Sequence, residues 1–186
     1  MIVSNSDLGD RVGFENVLNT TASKLMYESK RNIEKYKGLQ PVQFEKLVMK
    51  ILEDSSVGTD FERSFEHISG QRFPDIISEK FGYGIEVKKT ISNHWVTLGN
   101  SIMEGNRVDN VDNIYLFFGK LAQPIEFKYR PYEDCLSDVV ISHSPRYFVD
   151  MNLSQGETIF SKVGKSYNDI RKSKNPFQPI KKYLRK

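Results

Sequence analysis

Residues 72–90 read RFPDIISEKFGYGIEVKKT, and the way this stretch folds back on itself decides both the architecture and the chemistry around it. Two short apolar runs, one at Ile76 and Ile77 and one at Ile85 and Val87, flank a short turn, which predicts a β-hairpin. In IEVKK the residues alternate, so Ile85 and Val87 face one side while Glu86 and Lys88 face the other. With the turn centred on Lys80 and Phe81, Asp75 falls directly opposite Glu86. Directly opposed residues have Cβ atoms about 5 Å apart, where like charges repel. Two carboxylates so placed call for either a shared proton or a divalent cation that takes an oxygen from each. Mg2+ suits the second case, because it prefers hard oxygens and is commonly held by one or two carboxylates with water and phosphate completing its shell. Lys88, on the same face, would then orient or help to deprotonate a water, or stabilise charge on a phosphate. An isolated E-x-K is otherwise an ordinary solvent-facing acid and base on a strand; the Pro74-Asp75 pair in the adjoining strand weighs against that reading.

Upstream, PVQFEKLVMKILEDS (41–55) opens on Pro41, suited to a first helical position, and carries Phe44, Leu47, Val48 and Ile51 at i, i+3, i+4 and i+7, the pattern of an amphipathic helix. Glu45 heads a row on the border of that apolar stripe, because Val48, Met49 and Leu52 follow it at three, four and seven residues. Such a carboxylate either snorkels at the edge of the core or is aimed at something. The first forty residues also read as helical, in GFENVLN and ASKLMYESKRNIEKYKG with Gly38 as a stop. After a polar connection (SSVGTDFERSFEHISGQ) and the hairpin, SNHWVTLGNSIMEGNRV reads as helical. NIYLFFGK, IEFKYRPY, DVVIS and RYFVDMN then read as strands. ETIFSKVGKSYNDIRKS reads as one amphipathic helix with Ile159, Phe160, Val163, Tyr167 and Ile170 inward, after which Pro176 and Pro179 break the chain. Helices first, a strand-rich middle and a closing helix predict an α/β or α+β sandwich around one central mixed sheet.

At 186 residues and 38% hydrophobic, the chain fits a single domain with one sizeable core. We divide it into a helical region 1–40, a core 41–160 and a basic helix and tail 161–186. No apolar run of membrane-spanning length occurs, and the N-terminus lacks a secretory pattern, which predicts a cytoplasmic protein. The single Cys135 excludes an internal disulfide, and no Cys/His grouping has zinc-ligand spacing. The net charge of +3 hides an asymmetry: from Lys162 onward nine Lys or Arg face one acid, Asp169, whereas residues 1–161 carry −5. A basic end of this kind either meets a polyanion or is simply solvated.

Pro74-Asp75 followed by Glu86-Val87-Lys88 resembles the active-site signature of the PD-(D/E)XK nucleases, the restriction-endonuclease-like superfamily. The resemblance implies an α/β restriction-endonuclease-like core, a central mixed sheet flanked by helices. It implies Mg2+ or Mn2+ held by Asp75, Glu86 and the Val87 carbonyl, with Lys88 assisting the hydrolytic water. Many members add an acid from the preceding helix, and Glu45 stands where that acid is expected, which implies that it either completes a second metal site or positions a metal-bound water. The order of helix with acid, signature hairpin, helix and apolar strand NIYLFFGK runs along the chain in the family's order. Length and sequence as a whole look like the small cleavage subunit of a heterodimeric type IIS restriction endonuclease of bacteria. That likeness implies a monomer when alone, acting on double-stranded DNA beside a larger subunit that recognises the site and nicks the other strand. No insertion or motif for reading bases is evident in the sequence, which delegated recognition would explain.

Among the lesser candidates, His94 follows the signature and would approach the phosphate or stay a surface histidine. Lys89 points away from Lys88 and reads as structural or DNA-contacting. Asp60 and Glu62 read as exposed strand residues, competing with Glu45 as third acid, and Trp95 reads as a packing residue. Lys172, Lys174, Lys181, Lys182, Arg185 and Lys186 would add phosphate contacts independent of sequence, or dock the partner. Two rival functions remain: a stand-alone homodimeric restriction or junction nuclease, and a non-catalytic DNA-binding or assembly subunit.

Overall fold

A computed structural model describes residues 5–141 and 144–184. His143, Arg185 and Lys186 lie outside the described residues. The chain opens with α1 (Asn5–Arg31), α2 (Ile33–Gly38) and α3 (Pro41–Ser56). Pro41 occupies the first turn of α3, and Gln40 with Gln43 closes a reciprocal capping box at its start. Among the described residues eight strands follow in order: β1 (Glu66–His67), β2 (Ile76–Ser78), β3 (Tyr83–Thr90), β4 (Val96–Ser101), β5 (Asn113–Lys120), β6 (Glu126–Pro131), β7 (Leu136–Val140) and β8 (Arg146–Asp150). Three helices close the chain: α4 (Ile159–Val163), α5 (Tyr167–Arg171) and α6 (Phe177–Leu184).

Five strands form the central sheet in the order β1-β2-β3-β5-β6, and β4-β8-β7 form a second sheet. The central sheet is mixed, since β3 and β5 run parallel while the other pairs are antiparallel. The protein is thus mixed α/β, with helices around a mixed central sheet. One face of that sheet, carrying Ile85, Val87, Tyr115 and Phe117, packs against Phe14, Leu18, Phe44, Val48 and Leu52 of α1 and α3. The opposite face, carrying Ile77, Leu116 and Phe118, packs against Tyr147 and Val149 of the second sheet and Ile159, Tyr167 and Ile170 of the short helices. Both faces are therefore buried, as a parallel strand pair in the middle of a sheet requires.

Four readings of the sequence are corrected here. Residues 96–101 form β4, not a helix: β-branched Val96 and Thr97 pair with Asp150 and Val149 of β8, and a bulge between Leu98 and Ser101 breaks the alternation that would have marked a strand. The single closing helix is two, because Gly164 at φ 72° ends α4 in the left-handed region and Ser166 caps α5 together with Asp169. Pro179 does not break the chain; it lies in the first turn of α6, where an absent N–H costs no helical bond. Asp60 and Glu62 lie in turns rather than a strand, with the Glu62 carboxylate accepting from the Gly58 N–H at 2.8 Å. Among the described residues no helix is long and apolar enough to cross a membrane.

Candidate active site

The hairpin forms with Ile76 opposite Ile85, Ile77 opposite Gly84 and Ser78 opposite Tyr83. Continued by one residue, that register sets Asp75 against Glu86, as the symmetric turn predicts. Asp75 itself lies just before β2, tied by both ends: its Oδ2 accepts from the Val87 N–H at 2.8 Å, and its carbonyl accepts from the Ile68 N–H at 2.8 Å. Gly84 makes the close approach possible. A Cβ on it would lie 2.4 Å from Pro74 Cγ and 2.8 Å from Val111 Cγ1, so only glycine lets the Pro74-Asp75 step lie flat on β3.

Glu86 is 5% exposed, so the solvent-facing account of the E-x-K does not apply. In the parallel register Glu86 pairs with Leu116 and Lys88 with Phe118, which sends both side chains to the face covered by the second sheet. Lys88 Nζ lies 2.5 Å from Glu86 Oε1, with the lysine side chain a quarter exposed. Burial pushes the Glu86 carboxyl up; Lys88 pulls it down, while Asp75 and Glu45 push it further up. Burial disfavours the charged Lys88, but attraction to Glu86, Asp75 and Glu45 outweighs this and holds its ammonium more firmly protonated than usual. Glu45, half-buried on α3, is raised by burial and then by Asp75, with Lys88 and His67 acting in the other direction. Asp75, Glu86, Glu45 and Lys88, widely separated in sequence, thus lie within each other's electrostatic reach.

The other candidates distribute differently. His94 sits on the exposed loop after β3, where its Nδ1 accepts from the Val96 N–H at 3.4 Å. Lys89 is half-exposed, one residue out of phase with Lys88. Lys172, Lys174, Lys181 and Lys182 are all exposed, the last two in the final turn of α6. Trp95 packs on Phe118 at 5.6 Å between centroids and lies under the Lys128 ammonium at 4.3 Å, which makes it a packing residue. Two residues escaped the sequence reading. Lys120, 4% exposed, ends β5 beside Thr90 and is paired with Glu126 and with Asn93 at 3.0 Å. His67 on β1 brings Nε2 to 3.7 Å from Glu45 Oε2. A two-residue strand leaves no periodicity to find it by.

Among the described residues no group of three or more Asp, Glu, His or Cys side chains is arranged to hold a metal ion. The charge balance nonetheless suits a hard divalent cation: three carboxylates and one ammonium act on one another electrostatically, and two of the acids, Glu86 and Glu45, are raised partly by neighbouring negative charge. An ion of this kind takes an oxygen from each of two carboxylates and leaves the rest of its shell to water and phosphate. No family model and no curated protein matches the chain.

Proposed function

We propose that this chain is a Mg2+-dependent DNA endonuclease with a restriction-endonuclease-like core, acting as the cleavage subunit beside a larger subunit that recognises the site and nicks the opposite strand. The observation that carries this reading is the pairing of buried Glu86 with half-buried Lys88 at 2.5 Å, set opposite Asp75 in a hairpin whose register aligns the two acids. A purely structural strand has little use for this arrangement, since a buried ion pair seldom stabilises a fold more than apolar residues of the same volume.

Asp75 and Glu86 would hold Mg2+ or Mn2+ together with the Val87 carbonyl. Bound there, the ion supplies Lewis-acid polarisation of the scissile phosphate and a more acidic water. Asp75 is kept in place by the Val87 N–H and cannot swing away from β3 without giving up that bond. Lys88 presents a fixed positive charge toward the phosphate, where negative charge builds in the transition state. Glu45 orients a water at the edge of the site. Exposed Lys172, Lys174, Lys181 and Lys182 add phosphate contacts that do not depend on sequence.

The test is plasmid cleavage with Mg2+ by the chain and its larger partner, with Glu86→Ala and Lys88→Ala made in this chain alone. The expected result is that each variant leaves DNA nicked in one strand and uncut in the other. Double-strand cleavage that survives both substitutions would overturn the reading in favour of a non-catalytic assembly subunit. A stable homodimer that makes specific double-strand breaks unaided would favour the stand-alone nuclease instead.

A further inference from the structure

The strand β1 is only two residues long, yet it sets two parts of the site at once. His67 pairs with Ile76, and the next residue, Ile68, donates its N–H to the Asp75 carbonyl at 2.8 Å. The same edge therefore fixes the backbone of one acid and the ring that faces another. Among the described residues His67 Nε2 is buried with no hydrogen-bond partner, an unfavourable state that native proteins seldom keep without a use. It lies 3.7 Å from Glu45 Oε2, with the two side chains 25% and 20% exposed. That gap lies just past the hydrogen-bond range of about 2.7–3.2 Å, so a small rotation of the Glu45 carboxylate closes it. The other groups that act on Glu45 are Asp75, which repels it, and Lys88, which attracts it. Neither attachment is on α3, so the direction of Glu45 within the site is set from the sheet side.

We propose that His67 is a positioning residue for the cleavage reaction: by that small rotation its Nε2–H closes on Glu45 Oε2 in the free chain and holds the carboxylate toward Asp75 and Lys88. The inference rests on the nuclease reading for its catalytic consequence, while the His67–Glu45 bond itself is testable without it. The chain acquires by this means a third acid that is aimed by the sheet although a helix carries it. Gln is the informative replacement, since its side-chain amide places an N–H near the position of the ring Nε2, whereas Asn places one near Nδ1 and Leu removes the donor.

The experiment compares His67→Leu, His67→Gln, His67→Asn and Glu45→Gln, and the His67→Leu/Glu45→Gln pair, in the full chain. Cleavage is read with Mg2+, plasmid DNA and the larger subunit. His67→Leu and His67→Asn are expected to lower kcat roughly 10- to 100-fold, the rate equivalent of one hydrogen bond to a charged group, with KM for DNA unchanged. His67→Gln is expected to recover most of the loss, and His67→Leu to add nothing in the Glu45→Gln background. A second readout needs no activity: the urea midpoints of the metal-free chain are expected to be non-additive for the two positions. Full activity of His67→Leu, equal activity of the Gln and Asn variants, or additive losses in both readouts would overturn the inference while leaving the nuclease reading intact. Should His67→Leu not fold, the Gln and Asn comparison decides the matter alone. A wild-type complex that never cuts DNA, with non-additive midpoints retained, removes the nuclease reading and the catalytic role of His67 while the bond survives.

Discussion

Replacing Glu86 by Gln separates the two consequences of placing a carboxylate in this hairpin. Gln keeps the shape and an oxygen for the Lys88 ammonium, but it removes the charge that burial resists. Glu86 is 5% exposed, and its carboxyl is raised above the ordinary 4.5, first by burial, with Asp75 and Glu45 adding to the rise against the pull of Lys88. A carboxyl whose folded pKa exceeds its unfolded value holds its proton more tightly in the folded chain. The stability it lends is fully present below the unfolded pKa and is lost as pH rises through the folded one. Each unit of such a shift corresponds to about 1.4 kcal/mol, so removing the ionisation relieves on the order of 1–3 kcal/mol above the raised pKa. Against this, Lys88 loses its nearest anion, but it is a quarter exposed and keeps Asp75 and Glu45.

Metal-free Glu86→Gln is therefore expected to melt with the wild type at about pH 4.5 and above it at about pH 8 by roughly 2–12 °C, taking about 2–4 °C per kcal/mol for a chain of this size. Added Mg2+ reverses the order, because a ligand at about 100 times its Kd contributes about 2.7 kcal/mol to the form that binds it. Cleavage falls about a thousandfold in the same variant, several kcal/mol of charge stabilisation at about 1.4 kcal/mol per tenfold. Scanning calorimetry across that pH range, with and without Mg2+, is the assay. A variant less stable than the wild type at the upper pH without metal would refute the claim that burial outweighs the Lys88 pair. A Mg2+ stabilisation that survives the substitution would refute the place assigned to the ion.

Gly84→Ala drives a Cβ into Pro74 and Val111; overpacking of this kind costs about 1–3 kcal/mol, and cleavage is expected to fall further than thermal stability does, because Pro74 carries Asp75. Arg107→Ala strands Glu104, a side chain 5% exposed whose Oε2 accepts from Arg107 Nη1 at 2.8 Å and which also receives the Tyr167 hydroxyl. It is expected to lose about 3–5 kcal/mol in urea unfolding with little change in the Mg2+-induced shift of Tm. Replacing Lys181 and Lys182 together by Ala is expected to reduce the slope of log affinity for DNA against log salt by about 2, read by fluorescence anisotropy; an unchanged slope would assign that end of the chain to a protein partner.

The hairpin was legible because its register follows from counting: a turn centred between Lys80 and Phe81 makes Asp75 and Glu86 equidistant, and Ile76–Ile85 pairing obeys the same count. Helix α3 was legible because Pro41 and the spacing from Phe44 to Ile51 agree, and β5 because the continuous apolar run from Ile114 to Phe118 suits a strand buried on both sides. What the pattern could not carry was the second layer. Alternation sorts Glu86 from Val87, but it does not say that β8 and the short helices will cover the face on which Glu86 lies. Strand β1 escaped because two residues have no period. The strand β4 was hidden by its bulge, and the division of α4 from α5 by the fact that apolar spacing continues across Gly164.

The same covering of the second face is what gives the charge cluster its meaning. On a solvated strand, Glu86 and Lys88 would form a surface pair of little consequence. Enclosed, they feel the charges of Asp75 and Glu45, three acids against one firmly protonated lysine, and the nearby His67 ring gives Glu45 no hydrogen bond at 3.7 Å. The surplus is negative wherever all three acids are ionised, and enclosure prevents water from screening it fully. Two cations relieve such a surplus. A proton does so at low pH, where Glu86 and Glu45 take it up more readily than ordinary carboxyls; the proposed divalent ion would do so at neutral pH by taking the oxygens that the proton leaves. Proton and metal then compete for one place, so the affinity for Mg2+ should climb with pH through the raised carboxyl pKa and level off above it. Glu86→Gln should flatten that climb, and Lys88→Ala should raise affinity overall by removing the one fixed positive charge that opposes the ion.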